Sequence, residues 1–185
     1  MSERSPAPGG LELVETLVNT LDVGTGADSL DTPEGRARLG LAEDDLPGAR
    51  ELREALRATL LAHAGHPPHR AVTPLGELLA AAPLVVAVDP ADGSAALAPA
   101  GEGDPTTGDL TAGDLTAGDL TARVAAAVAE ALVAGTWSRL KACEADDCLW
   151  AYYDRSPAGR GRWCSMQVCG ARAKMRRYRA SRGTP

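Results

Sequence analysis

Four cysteines are the residues of this chain whose type and spacing could do chemistry. Cys143, Cys148, Cys164 and Cys169 are every cysteine in 185 residues, and they fall within 27 positions as Cys-x4-Cys, fifteen residues, Cys-x4-Cys. Two short knuckles joined by a hairpin-sized spacer let four thiolates converge on one tetrahedral Zn2+, each knuckle supplying two ligands. The alternative is a pair of disulfides in an exported domain, with three connectivities. The sequence weighs against it, because no signal-peptide pattern is read at the start and the other 158 positions hold no cysteine. Zinc is favoured over iron, since rubredoxin-like sites use Cys-x2-Cys knuckles. Four thiolates leave no open position for water, so one structural ion is expected rather than a catalytic one. Its binding, worth about 10–16 kcal/mol in zinc-finger peptides, would fold a module that has few other apolar residues.

The neighbouring residues sharpen the assignment. Asp154-Arg-Ser156 follows the second cysteine, Arg162-Trp163-Cys164-Ser165-Met166 brackets the third, and Cys169-Gly170-Ala171-Arg172 closes the segment. In these motifs residues 137–182 resemble the CGNR zinc finger, a bacterial family. Ala171 stands where the family has Asn, so any capping or partner contact of that Asn is missing, whereas the cysteines do not depend on it. A knuckle over Cys143–Cys148, a strand over 149–153, a turn over 155–159 and a helix over 166–181 predict a treble-clef-like arrangement, with a zinc ribbon as the alternative. Trp137–Lys141 is expected to lead in as a short strand.

Charge is distributed unevenly. Arg139–Arg182 carries eleven Lys or Arg against four acids, net +7, and the rest is net −13, so the overall −6 hides a basic C-terminal segment on an acidic remainder. Arg172, Lys174, Arg176, Arg177, Arg179 and Arg182 occupy eleven positions without an acid. With Arg162 across the site, they nominate Arg162, Arg172, Lys174, Arg176, Arg177 and Arg179 as a nucleic-acid-binding face. Part of this charge also offsets the −2 of a Zn(Cys)4 centre. Ala171, Met175 and Tyr178 form an apolar stripe on the same helix, expected to pack on Trp163 and the metal site. Trp150, Tyr152 and Tyr153 are aromatics on which unpaired bases could stack, with alternation sending the two tyrosines to opposite faces.

The elements that carry the finger are mainly helical. Residues 1–10 are expected to be a disordered leader. Leu11, Val14, Leu17, Val18 and Leu21 predict a helix over 11–21. Its Asn19-Thr20 pair is similar to the start of the ABATE domain, a stress-regulator-like domain that commonly precedes CGNR fingers. Thr32-Pro33-Glu34 reads as an N-cap with Pro at the first helical position, and Gly40 as the stop. A helix over 47–64 places Leu52, Leu56, Leu60 and His63 on one side and Arg50, Glu51, Arg53, Glu54 and Arg57 around the rest. Gly65 ends it, and His66-Pro67-Pro68-His69 is read as a removable surface loop, not a second metal site, since Gly65 and two prolines break the helix that would align the histidines. Thr73-Pro74 starts another short helix. Residues 84–98, β-branched and apolar around Asp89-Pro-Ala-Asp-Gly93-Ser94, predict a β-hairpin.

Gly-Asp-Leu-Thr-Ala then runs three times from Gly108 to Ala122. A five-residue period keeps its leucines on one face of neither helix nor strand, so 101–119 is expected to be a low-complexity spacer, with Asp119 or Thr121 capping an Ala-rich helix over 120–134.

The expected whole is mostly α with a β-hairpin (α+β): an ABATE-like helical domain over 11–135 and a small treble-clef-like zinc finger over 136–182. No membrane span is read, and the cytoplasm is the expected location. The resemblance implies a bacterial transcription regulator that binds DNA through the finger, with the N-terminal domain sensing a small ligand or mediating assembly, for instance as a homodimer. The alternatives are an RNA or single-strand binder and a protein-interaction module. No nucleophile, base and orienting group stand together, so no enzyme is expected.

Overall fold

The computed structural model describes residues 5–100 and 118–182, with the side chains of 99, 118 and 119 set aside. Most of the proposed spacer therefore lies outside the described residues. Six helices and two antiparallel strand pairs make an α+β fold among the described residues. In chain order they are α1 (Leu11–Val18), α2 (Pro33–Ala37), α3 (Leu46–His63), α4 (Leu75–Leu79), β1 (Leu84–Val88), β2 (Ala95–Pro99), α5 (Gly118–Val133), β3 (Leu140–Ala142), β4 (Ala151–Tyr153) and α6 (Ala171–Arg182).

The apolar period of α1 does what its spacing demands. Leu11, Val14, Leu17 and Val18 are all buried, facing α3 and α5. The helix stops at Val18, three residues short of the expected end, because the polar Asn19 and Thr20 turn the chain and Leu21 bridges to Asp28. Thr32 caps α2 by accepting from the Gly35 N–H, with Pro33 in the first turn as expected. Before α4, by contrast, Thr73 does not cap; its hydroxyl donates to Glu51 Oε1 at 2.6 Å. Asp119 and Thr121 both fall inside α5, which begins at Gly118, so neither is its N-cap.

Three expectations change. Ser5–Gly10 is fixed rather than disordered: Ala7 is buried, its N–H donates to Glu15 Oε2 at 2.6 Å, and Arg155 holds the Ser5 and Pro6 carbonyls at 3.1 and 2.7 Å. Arg53, Glu54 and Arg57, expected on the solvent side of α3, are 4, 3 and 1% exposed. Charge enters this core because it is paired there. Arg53 bonds Glu54, Asp28 and the Thr20 hydroxyl; Arg57 bonds Glu54 and the Val18 carbonyl.

The histidine loop is also built in. Gly65, at φ +82°, ends α3 as expected, but the loop beyond it is no removable appendage. His63 Nδ1 lies 2.8 Å from the Leu140 carbonyl, with its ring edge-on to Trp137. His66 faces Glu144 at 3.5 Å, and His69 bonds Glu54 at 3.0 Å. The three rings serve three separate contacts and do not converge.

β1 and β2 pair in the register Leu84 with Pro99 to Val88 with Ala95, as the turn chemistry requires. Asp89 accepts from Ala91 N–H and Asp92 from Ser94 N–H within that turn. The second pair, Leu140 with Tyr153 to Ala142 with Ala151, is what places the cysteines. Its Leu140, Ala142 and Ala151 are fully buried in the same core as α1, α3 and α5.

Candidate metal centre and basic helix

The knuckle grows out of the β3–β4 pair. Cys143 follows β3 directly and Cys148 precedes β4, so strands flank the first cysteine pair as expected, although Trp137–Arg139 forms a 3-10 turn and the strands are only Leu140–Ala142 and Ala151–Tyr153. The order is strand, knuckle, strand and ligand-bearing helix. Closing so tight a loop needs one residue in the left-handed region, and Leu149 takes it at φ 51°, rare for a residue with a Cβ. Two contacts hold it there. Its N–H donates to the Ala145 carbonyl at 3.1 Å, and its side chain is buried in the main core.

The second pair is carried by a wide turn. Cys164 precedes Ser165, whose hydroxyl accepts from the Val168 N–H at 3.3 Å, and Met166–Gly170 forms a π-type turn holding Cys169 before α6 begins. Such single π turns occur often at functional sites. A Cβ at Gly170 would fit tightly, 3.0 Å from Met166 Sδ and 3.2 Å from Trp163 Cδ1, so these side chains would have to give by a few tenths of an ångström. That is a packing reason for Gly in Cys169-Gly170.

The result is one cluster. Ligand sulfurs of Cys143, Cys148, Cys164 and Cys169 all lie within 4.8 Å of one another, and among the described residues they are the group able to hold a metal ion. Cys148 Sγ to Cys164 Sγ and Cys164 Sγ to Cys169 Sγ are each 3.6 Å. Disulfides need about 2.05 Å. A tetrahedral centre with metal–sulfur bonds of about 2.3 Å requires edges of about 3.8 Å. The spacing fits the second, and all four thiols are free.

Electrostatics favour a single thiolate in the cluster, at Cys143. Sulfur–sulfur hydrogen bonds from Cys148 and Cys164 pull Cys143 far below the ordinary thiol range, to about 2, aided by the backbone N–H groups of Cys164 and Ala145. The same shared protons push Cys148 up to about 12 and Cys164 up strongly, each chiefly through its contact with Cys143. Four sulfurs so close cannot all ionise together without a cation, and a divalent one resolves the conflict.

Asp154, of the Asp154-x-Ser156 motif, has a structural role that spacing did not reveal. Its carboxylate is 4% exposed and accepts from Lys141 Nζ at 3.0 Å, Ser156 N–H at 3.0 Å and Gly161 N–H at 2.6 Å. Burial alone would raise its pKa; these bonds outweigh it and hold the group below the carboxylate range. Asp154 thereby fixes the loop that returns the chain to Cys164. Asn19 is the other residue without a sequence-level role. Its amide donates to the Ala151 carbonyl at 3.0 Å and accepts from the Ala151 N–H at 2.7 Å, extending β4 as a partner strand would.

The nominated cations divide into two sets. Arg162 is tied to Glu144, and Arg172 to Asp147 at 2.9 Å. Lys174, Arg176, Arg177 and Arg179 lie exposed on α6 with no acidic partner among the described residues. The expected packing of the apolar stripe is overturned: α6 buries nothing, and Met175 and Tyr178 are 50 and 51% exposed. The helix leaves the metal site at Gly170 and, beyond the Arg172–Asp147 pair, packs mainly on the turn before it, so its stripe reaches neither Trp163 nor the core. Tyr152 and Tyr153 do part as alternation requires, Tyr152 to the metal-site cluster and Tyr153 to the main core.

The family model described as "CGNR zinc finger" matches residues 139–182, and the ABATE model, described as "Putative stress-induced transcription regulator", matches residues 10–135. No curated protein matches the chain. No described helix is long and apolar enough to cross a membrane. With more than half its length in the ABATE match and its four clustered cysteines in the zinc-finger match, the chain belongs to the ABATE family and carries a C-terminal CGNR zinc finger.

Proposed function

We propose that the protein is a DNA-binding transcription regulator whose finger holds one structural Zn2+ and whose α6 lies against duplex phosphates. The observation that carries this reading is α6 itself. α6 buries none of its twelve residues, Arg172 alone pairs with Asp147 at its start, and Lys174, Arg176, Arg177 and Arg179 have no acidic partner among the described residues. A helix kept exposed on all sides gains nothing from core burial, so its sequence is explained by what it meets outside. Met175, Tyr178 and Arg182 share one narrow stripe, flanked by Arg172, Arg176 and Arg179 on one side and Lys174 and Arg177 on the other. That pattern suits a groove, with an apolar edge facing the floor and cations reaching both phosphate walls.

Zinc acts here as a fixed anchor. Four thiolates fill its coordination sphere and supply no site for a bound nucleophile, so the reading assigns no catalysis to it. The test is duplex binding by the zinc-loaded chain across a salt series, beside the Arg176→Ala/Arg177→Ala/Arg179→Ala variant. The expected result is salt-dependent binding whose log–log slope is shallower by about 2.7 in the variant, three phosphate contacts at about 0.9 each. Equal slopes for the two proteins, or no binding at low salt, would refute the assignment.

A further inference from the structure

A cleft of about 310 Å3 opens on the finger beside the metal-site cluster, with which it shares Tyr152 and Trp163. Tyr153 and Trp163 offer partly exposed rings to it, Tyr152 lies buried behind them at 3% exposure, and Met166 is 69% exposed. Two guanidinium groups stand over these rings, Arg155 at 5.1 Å from the Tyr153 centroid and Arg162 at 5.5 Å from that of Trp163. Volumes of about 300 Å3 and more are those of small-molecule sites.

Charge in the cleft is not balanced. Asp154, the acid among its lining residues, is already saturated by Lys141, Ser156 and Gly161. Arg162 is paired with Glu144, whereas Arg155 holds the neutral carbonyls of Ser5 and Pro6 and has no acidic partner among the described residues. An aromatic slot with an uncompensated cation at its mouth takes a flat ring that carries an anion. The rim residue Met166 also opens the turn that leads into α6, so a chain leaving the cleft there comes next to the basic helix.

We infer that this cleft binds one unstacked nucleotide of a nucleic-acid strand, its base against the partly exposed rings of Tyr153 and Trp163 and its phosphate on Arg155. The inference rests on the nucleic-acid reading above and adds a second surface to it. Stacking of this kind is sequence-tolerant, because every base has a π-face, and it requires a base that is already unpaired or flipped out. Arg155 thus separates binding of a strand from binding of an intact duplex.

The test titrates the full-length zinc-loaded chain into a single-stranded oligonucleotide containing 2-aminopurine. The expected result is quenching of the 2-aminopurine emission on binding. Arg155→Ala and Met166→Glu, both at exposed positions, should each weaken strand binding about tenfold while duplex affinity stays within twofold. A strand that binds without quenching, one that does not bind, or unchanged affinity in both variants would overturn the cleft assignment, whatever the duplex result. Nucleoside monophosphate binding as tightly as the strand would reassign the cleft to free nucleotide and overturn the strand source. Quenching by a protein that fails to bind duplex would leave the cleft standing and remove the regulator reading.

Discussion

Asn19 closes the first helix, yet both hydrogen bonds of its amide go to Ala151, 132 residues later. A two-stranded pair as short as β3–β4 leaves one edge of β4 without a strand neighbour, and buried backbone groups need partners. Asn19 supplies a donor and an acceptor in the spacing of a strand residue, and so locks the finger to the helical domain. Thr20 beside it serves that domain instead, donating to the Leu17 carbonyl and accepting from Arg53. Asn19→Ala should leave both Ala151 groups unpaired. The expected cost is about 2 kcal/mol, read as a lower urea midpoint with an unchanged slope. An unchanged midpoint would mean that water replaces the amide and that the clasp contributes no stability.

At the scale of elements, the finger is two things joined at the cysteines. β3 and β4 belong to the main core, with Leu140, Ala142 and Ala151 fully buried, whereas Met166–Arg182 depends on the metal site for its place. Removing zinc with a chelator should therefore raise amide exchange from Met166 through Arg182 while β3, β4 and α3 keep their protection, as hydrogen exchange by mass spectrometry would show. Loss of protection in β3 and β4 as well would mean that the metal folds the finger as a unit. The residue pattern alone suggested that unit, and the reason is instructive. Helix periods, the Thr32-Pro33 cap, the β1–β2 turn and the cysteine spacing are local signals, and each was legible. What surrounds an element is not local. Nothing in Leu140-Lys-Ala142 says that α3 will lie against it, and nothing in the stripe of Met175 and Tyr178 says that no surface will meet it. Arg53, Glu54 and Arg57 look like a solvated helix face until the loop carrying Asp28 and the loop carrying His69 cover them.

For the whole molecule, that covered network sets the response to acid. Glu54 is 3% exposed and faces Arg53, Arg57, His69 and, at 3.6 Å, Arg70. Burial works to raise its pKa, but bonds and charge from Arg57 and Arg53 prevail and bring it from 4.5 down to about 2. A carboxyl with a depressed folded pKa contributes stability above its unfolded value and loses it as pH falls through the folded one. Glu54 thus stabilises the fold fully above pH 4.5 and loses that contribution between 4.5 and about 2. The gap corresponds to about 3 kcal/mol. His63 and His69 add an earlier step, because burial first of all holds both below 6.5 and an unfolded chain takes up their protons as pH drops under that value. Protonation of the thiolates that would hold a metal ion acts in the same direction, so wild type alone cannot isolate the network. Glu54→Gln can. At pH 7 it leaves two buried guanidinium groups short of their carboxylate and should cost about 3–5 kcal/mol. The stability difference between wild type and this variant, measured by urea denaturation at each pH, should shrink from about pH 5 toward pH 2, any change between pH 7 and 5 reporting His69, whose contact with Glu54 the variant alters. The thiolate site and His63 are common to both proteins and cancel from that difference. A difference that stays flat down to pH 3 would show that Glu54 is not held ionised by Arg53 and Arg57. It would leave the burial of three charges on α3 without its compensating pair.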